Sequence, residues 1–291
     1  MKRIWRLWSG AGAIAGLLLF CAAAAAVQGG AARGSAASSS AGKTIGRDTS
    51  PTNAENSLEL IKLPGRKEES AYGWFQALSP EDPKKKIELV EAFLQKYPAS
   101  QYRPSIYSRL TSAHPQTNQV QKMEVAGEKD LELNPKDVQV LAMLGQTFPR
   151  TINSSTPEPD KRPDKAEQYA KRAIEGTLAM QKPEGLTNDQ FEKAECRTLA
   201  IAHSGLGLVN FHRGKYAEAI AELDQSVKLD PRSDPVKYYV LGVANHNASH
   251  FLVVADAFSK CAEFQGSLQA TCKDNAEKGA TEAPAQSSSP Q

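Results

Sequence analysis

The chain repeats itself. Leu206-Gly207-x-x-Asn210 recurs 35 residues later as Leu241-Gly242-x-x-Asn245. The same offset carries Tyr216 onto Phe251, Leu223 onto Phe258 and Ser226 onto Cys261. Positions matched in size and polarity at one spacing define a structural unit used more than once. A unit of this length holds two helices of about a dozen residues and two tight turns. Each unit alone leaves an apolar face that only a neighbouring copy can cover, so such a chain builds a stack.

The endings of the second helices extend the pattern. Val227-Lys228-Leu229-Asp230-Pro231 is echoed by Leu131-Glu132-Leu133-Asn134-Pro135, and Phe93-Leu94-Gln95-Lys96-Tyr97-Pro98 is a third such ending. Proline cannot continue a helix and holds the residue before it extended, so each is a stop. Stops and apolar spacing together predict paired helices over 68–78 and 83–97, 101–113 and 118–133, 138–148 and 164–180, 189–213 and 215–229, 235–247 and 251–264. A capping helix is predicted over 268–278. The distance from Pro135 to Pro231 is too long for two plain repeats. The surplus falls in a proline-rich insert, Pro149–Pro163, and in Lys182–Ala194.

The closest segment is Gly214-Lys215-Tyr216-Ala217-Glu218-Ala219-Ile220. Around it, His203-x-x-Leu206-Gly207-x-x-Asn210, Ala219-x-x-x-Leu223 and Pro231 follow the order Trp-x-x-Leu-Gly-x-x-Tyr, Ala-x-x-x-Phe, Pro. That order resembles the tetratricopeptide repeat. The next copy reads Tyr238-x-x-Leu241-Gly242-x-x-Asn245, then Phe258. His203, Asn210 and Asn245 depart from the family's aromatics, and Val254 from its alanine. The resemblance is good over 200–265 and fair over 83–180. It implies an all-α fold, a right-handed superhelix of antiparallel helix pairs. The repeat domain spans 58–279, with its best copies at 200–233 and 235–266.

The resemblance also implies a non-catalytic scaffold that takes a peptide or protein in the concave groove lined by each pair's first helix. On this chain that face would carry Ser204, Leu208, Phe211, His212, Tyr239, Val243 and His246. Packing against the neighbouring helix is the competing account of every one of them. No Lys or Arg occupies the face in these pairs, so a basic clamp for a C-terminal carboxylate is not expected.

Charge is unevenly placed. The sequence holds 35 basic and 33 acidic residues, yet 58–279 carries 29 against 30. A near-neutral body lacks the electrostatic footprint of a nucleic-acid binder. The N-terminus is different. Met1–Trp8 has three positive charges, and Ser9–Val27 follows without any charge. Residues 1–27 therefore read as a signal peptide or an N-terminal membrane anchor, which places the body outside the cytoplasm, in the periplasm or facing it. Cys21 offers a third outcome, lipid modification, although bulky Phe20 precedes it. Residues 28–57 are Gly, Ala and Ser with few large apolar groups and read as a flexible tether, and 280–291 as a disordered tail. Phe93–Ser100 loosely resembles the repeats of outer-membrane assembly lipoproteins, which makes envelope assembly or transport the alternative role.

No constellation of reacting groups stands out, and no cofactor or metal is called for. His246 and His250 are four apart, but the repeat alignment puts a helix break between them. Cys261 and Cys272 are 11 apart, one near the end of a helix and the other early in the next antiparallel helix. That arrangement permits a disulfide in an oxidising compartment. Alternatively, Cys261 only fills the small-residue slot that Ser226 fills one repeat earlier.

Overall fold

The computed structural model describes Tyr72 and residues 82–152, 160–232 and 234–287. The signal or anchor segment, the tether, Cys21 and all of the helix expected over 68–78 except Tyr72 lie outside the described residues. Among the described residues the secondary structure is helical throughout, with no strand. The helices are α1 (Pro83–Lys96), α2 (Arg103–Ala113), α3 (Val120–Leu133), α4 (Val138–Arg150), α5 (Arg162–Leu178), α6 (Asn188–His212), α7 (Tyr216–Leu229), α8 (Pro235–Asn247), α9 (Phe251–Ala262) and α10 (Gln269–Ser287). Each packs on its chain neighbours, and α4 also packs directly on α6.

Starts and stops follow local chemistry. Asp82, Asp137, Thr187 and Asp234 each accept a backbone N–H of the first turn, and Thr187 forms a reciprocal capping box with Gln190. Helices α1, α3 and α7 end alike. Tyr97, Asn134 and Asp230 leave the helix with φ of −125°, −132° and −146°, one residue ahead of a proline. Several boundaries differ from expectation. A 3₁₀ turn, His114–Thr117, delays the start of α3. Helix α4 runs through Pro149 to Arg150, and Pro163 lies in the first turn of α5, where a missing N–H costs nothing, so the insert is shorter at both ends. Helix α10 continues past Lys278 to Ser287.

The sequence repeat is one contact made twice. A Cβ on Gly207 would come 2.6 Å from Leu223 Cγ, and one on Gly242 would come 2.8 Å from the Phe258 ring. A glycine on each first helix thus accepts the large residue of its second helix, and both members of the pair shift by 35 together. The turns match too. The Lys215 N–H donates to Asn210 O and the His250 N–H to Asn245 O, at 2.9 and 2.8 Å. Gly214 takes φ of 70° in the first turn, and Ser249 takes 62° in the second. The departure at His203 has its own partner, because its Nδ1 lies 2.7 Å from Glu222 on α7.

Among the described glycines, the closest approach of backbone to backbone joins α4 to α6. A Cβ on Gly205 would lie 2.8 Å from the carbonyl carbon and oxygen of Gly145. A Cβ on Gly145 would in turn lie 3.0 Å from the backbone N of Ala170 on α5. Ala166, Ala170 and Ala173 give α5 a small face that fits against this crossing, inside a core completed by Leu141, Leu144, Phe148, Ala202 and Val209. Alanine at 205 would gain about 1 kcal/mol of helix propensity. Backbone cannot yield as a side-chain tip does, and overpacking of this kind costs about 1–3 kcal/mol or more. Gly205→Ala is therefore expected to lower stability by about 2 kcal/mol in denaturant unfolding. Ser249→Gly should raise it by about 1 kcal/mol, because a β-carbon in the left-handed region is disfavoured by that order.

Candidate functional site

The predicted groove residues separate into two groups. Phe211 and Tyr239 are half-buried and pack on the same cluster, Leu208, Leu223, Val240, Leu241 and Ala257. Phe211 lies 5.8 Å from the Tyr216 ring, and Tyr239 meets Phe258 edge-on at 5.8 Å. Ser204 and Leu208 are buried. His212 lies 2.8 Å through Nε2 from Pro149 O, which ties the end of α6 to the end of α4. Val243 and His246 are placed differently. With Val254 and Phe258 of α9 and Asn275, Lys278 and Gly279 of α10, they line a cleft of about 210 Å³. The His246 ring stands edge-on to Phe251 at 5.5 Å.

Cys261 and Cys272 are joined in a disulfide with Cα atoms 5.8 Å apart, which ties α9 to α10. Ser226, at the equivalent position one repeat earlier, donates instead to Ala200 O at 2.7 Å. His250 lies beyond the break between α8 and α9, with Nδ1 3.3 Å from Asn245 Oδ1. Among the described residues, no group of three or more His, Cys, Asp or Glu could hold a metal ion, and no helix is long and apolar enough to cross a membrane.

A larger concavity, missed in the sequence, lies near the other end. It is an open trough of about 520 Å³ between α1, α2 and α3. Helix α1 contributes Glu91, Leu94 and Gln95. Tyr107 and Leu110 of α2 form the floor with His114. Helix α3 contributes Gln121, Lys122, Val125, Ala126 and Lys129. Val125 is 55% exposed, one of several exposed large apolar residues that also include Leu178 and Leu252. His114 is buried, and its Nδ1 has no hydrogen-bond partner. Burial first and Lys122 second lower its pKa, against a smaller opposing effect of Glu91, so the imidazole is neutral at pH 7. In sequence each of these faces reads as the ordinary amphipathic side of a helix. Only their convergence makes a trough.

Two ionisable groups sit inside the packing. Lys237 is fully buried and donates through Nζ to Asp230 O. Burial lowers its pKa, opposed by Asp230 and Asp234. Asp130 is fully enclosed on α3, and neither carboxylate oxygen has a hydrogen-bond partner. Burial, reinforced by Asp137, raises its pKa to about 7. Neither group is open to a substrate. Asp130 does shape stability. Between about pH 4 and pH 7 the folded chain keeps a proton that the unfolded chain has released. Its contribution to stability therefore falls as pH rises and levels off above about 7. At about 1.4 kcal/mol per tenfold change in proton affinity, the enclosed charge costs on the order of 4 kcal/mol at pH 8. Asp130→Asn is expected to raise the melting temperature at pH 8 far more than at pH 4, and to remove most of the loss between them. An equal effect at both pH values would show that the carboxyl is not held protonated.

The tetratricopeptide repeat family matches residues 200–233, which run from within α6 through α7 to the proline stop. No curated protein matches the chain. Among solved structures, one titled as the functional characterization of Pseudomonas aeruginosa pilF aligns with 79% of this chain and 91% of its own, at 14% identity and a TM-score of 0.45. The family thus matches one repeat, and the glycine contact and turn of that repeat recur 35 residues on.

Proposed function

We propose that the chain is a non-catalytic scaffold or adaptor of the cell envelope, which holds a peptide or protein segment in the groove of its C-terminal repeats. Tetratricopeptide repeats mediate protein–protein contact in general, and a matched repeat supports that role here. The observation that carries the location is the cleft where Val243 and His246 meet Asn275 and Lys278. An apolar wall, an imidazole, an amide and an ammonium around one opening suit a peptide, whose side chains and carbonyls need both kinds of surface. The enclosure of Asp130 supports the non-catalytic part, since a carboxyl whose pKa is raised to about 7 there cannot reach a substrate. The basic-then-apolar N-terminal segment supports export, and the Gly/Ala/Ser stretch after it would let a tethered body reach its partner. Lipid on Cys21 would favour the envelope assembly or transport role, and metabolic labelling with a fatty acid would reveal it.

The test is a quantitative pull-down from envelope extract with the full chain and with Val243→Asp and His246→Ala variants. Tyr239 is unsuitable because it packs on Phe258, and its loss would disturb the core. A near-stoichiometric protein partner reduced about tenfold by each variant is expected, equivalent to about 1.4 kcal/mol. A partner captured equally by all three chains would contradict the location. No partner for the wild-type chain would count against the scaffold role.

A further inference from the structure

We propose that the trough between α1, α2 and α3 is a second docking site, which takes one face of an acidic amphipathic helix from a protein partner. Its dimensions fit that occupant. On α3 the lining runs from Gln121 to Lys129, about 12 Å at about 1.5 Å per residue. A ligand helix placing anchors at i, i+3 or i+4, and i+7 spans about 10.5 Å by the same rise. The floor is apolar, formed by Leu94, Tyr107, Leu110 and Ala126, with Val125 standing half out of it. Such a floor buries the ligand's apolar stripe and leaves its flanks at the rims.

The charges say which flank. Lys122 and Lys129 sit two turns apart on the α3 rim, close to the i to i+7 spacing of the ligand. Lys129 Nζ and the Arg103 guanidinium both stand over the Tyr107 ring, 5.7 and 5.9 Å from its centroid. Neither cation has a carboxylate partner among the described residues. Glu91 is the one anion among the described residues that line the trough, and its contact with Lys122 spans 3.9 Å with both side chains more than half exposed. Such a pair contributes little and can exchange partners. Two cations without counter-ions beside an apolar floor match aspartates or glutamates flanking an apolar stripe.

The site is independent of the C-terminal cleft, so the two readings fail separately. A display library of helix-forming peptides of about 16 residues, long enough for a few turns, is selected on the full chain and counter-selected on the Val125→Asp chain. Enriched sequences should show apolar residues at i, i+3 or i+4, and i+7 with Asp or Glu beside them. Their affinity should fall at least about tenfold with Val125→Asp and weaken as salt rises. Lys122→Glu with Lys129→Glu should move the preference to Lys-flanked peptides, and Val243→Asp should leave binding unchanged. Val125 is exposed, so its variant is expected to keep the wild-type circular dichroism. Enrichment without charge preference, or equal binding to Val125→Asp, would overturn the proposal. So would no enrichment with saturable binding of palmitate, which would make the trough a lipid site.

Discussion

The stack depends on the crossing of two backbones. Where α4 passes α6, a Cβ on Gly205 would meet the Gly145 carbonyl, and a Cβ on Gly145 would press on the α5 backbone at Ala170. Dispersion attraction falls steeply with separation, so a crossing at backbone distance brings every neighbouring side chain into full contact. Pro149 takes part in this arrangement. It has no N–H to give the carbonyl four residues back, and that carbonyl belongs to Gly145, whose oxygen faces Gly205. A proline inside the last turn of α4 therefore leaves that carbonyl without a helical partner at the point where another helix arrives. The alanine face of α5 closes the other side, and from this centre the pairs extend in both directions.

Much of this was legible in the chain because one contact is written twice. Gly207 with Leu223 and Gly242 with Phe258 are separated by the same 35 residues, and so are the turns at Gly214 and Ser249. The prolines behind α1, α3 and α7 also marked true endings, since each holds the residue before it away from helical geometry. The crossing at Gly145 was not legible, because it joins different repeats and has no internal copy. Pro149 misled for a related reason. A proline reads as a break unless it is known what its missing hydrogen bond leaves open.

The groove residues show the limit of reading a face from periodicity. Phe211, Tyr239 and Val243 share the first-helix surface, yet the two aromatics reach sideways into the packing on Leu223 and Leu241 while Val243 borders open space. Long side chains settle over the preceding turn, so neighbours on a helical wheel can end in different environments. The trough between α1 and α3 was hidden for the opposite reason. Its residues are unremarkable singly, and it exists because two second helices stand apart over α2. The concavities of this chain follow from where helices separate as much as from where they touch.

Hydrogen exchange across the native full-length chain, read by mass spectrometry, tests the central claim most directly. Stability in a stack is transmitted between neighbours and fades toward the ends. If the Gly145–Gly205 crossing is the anchor, amides of α4 and α6 around those residues will exchange most slowly, with protection declining toward α1 and α2 on one side and α9 and α10 on the other. Maximal protection in a terminal pair, with α4 and α6 exchanging early, would contradict the account.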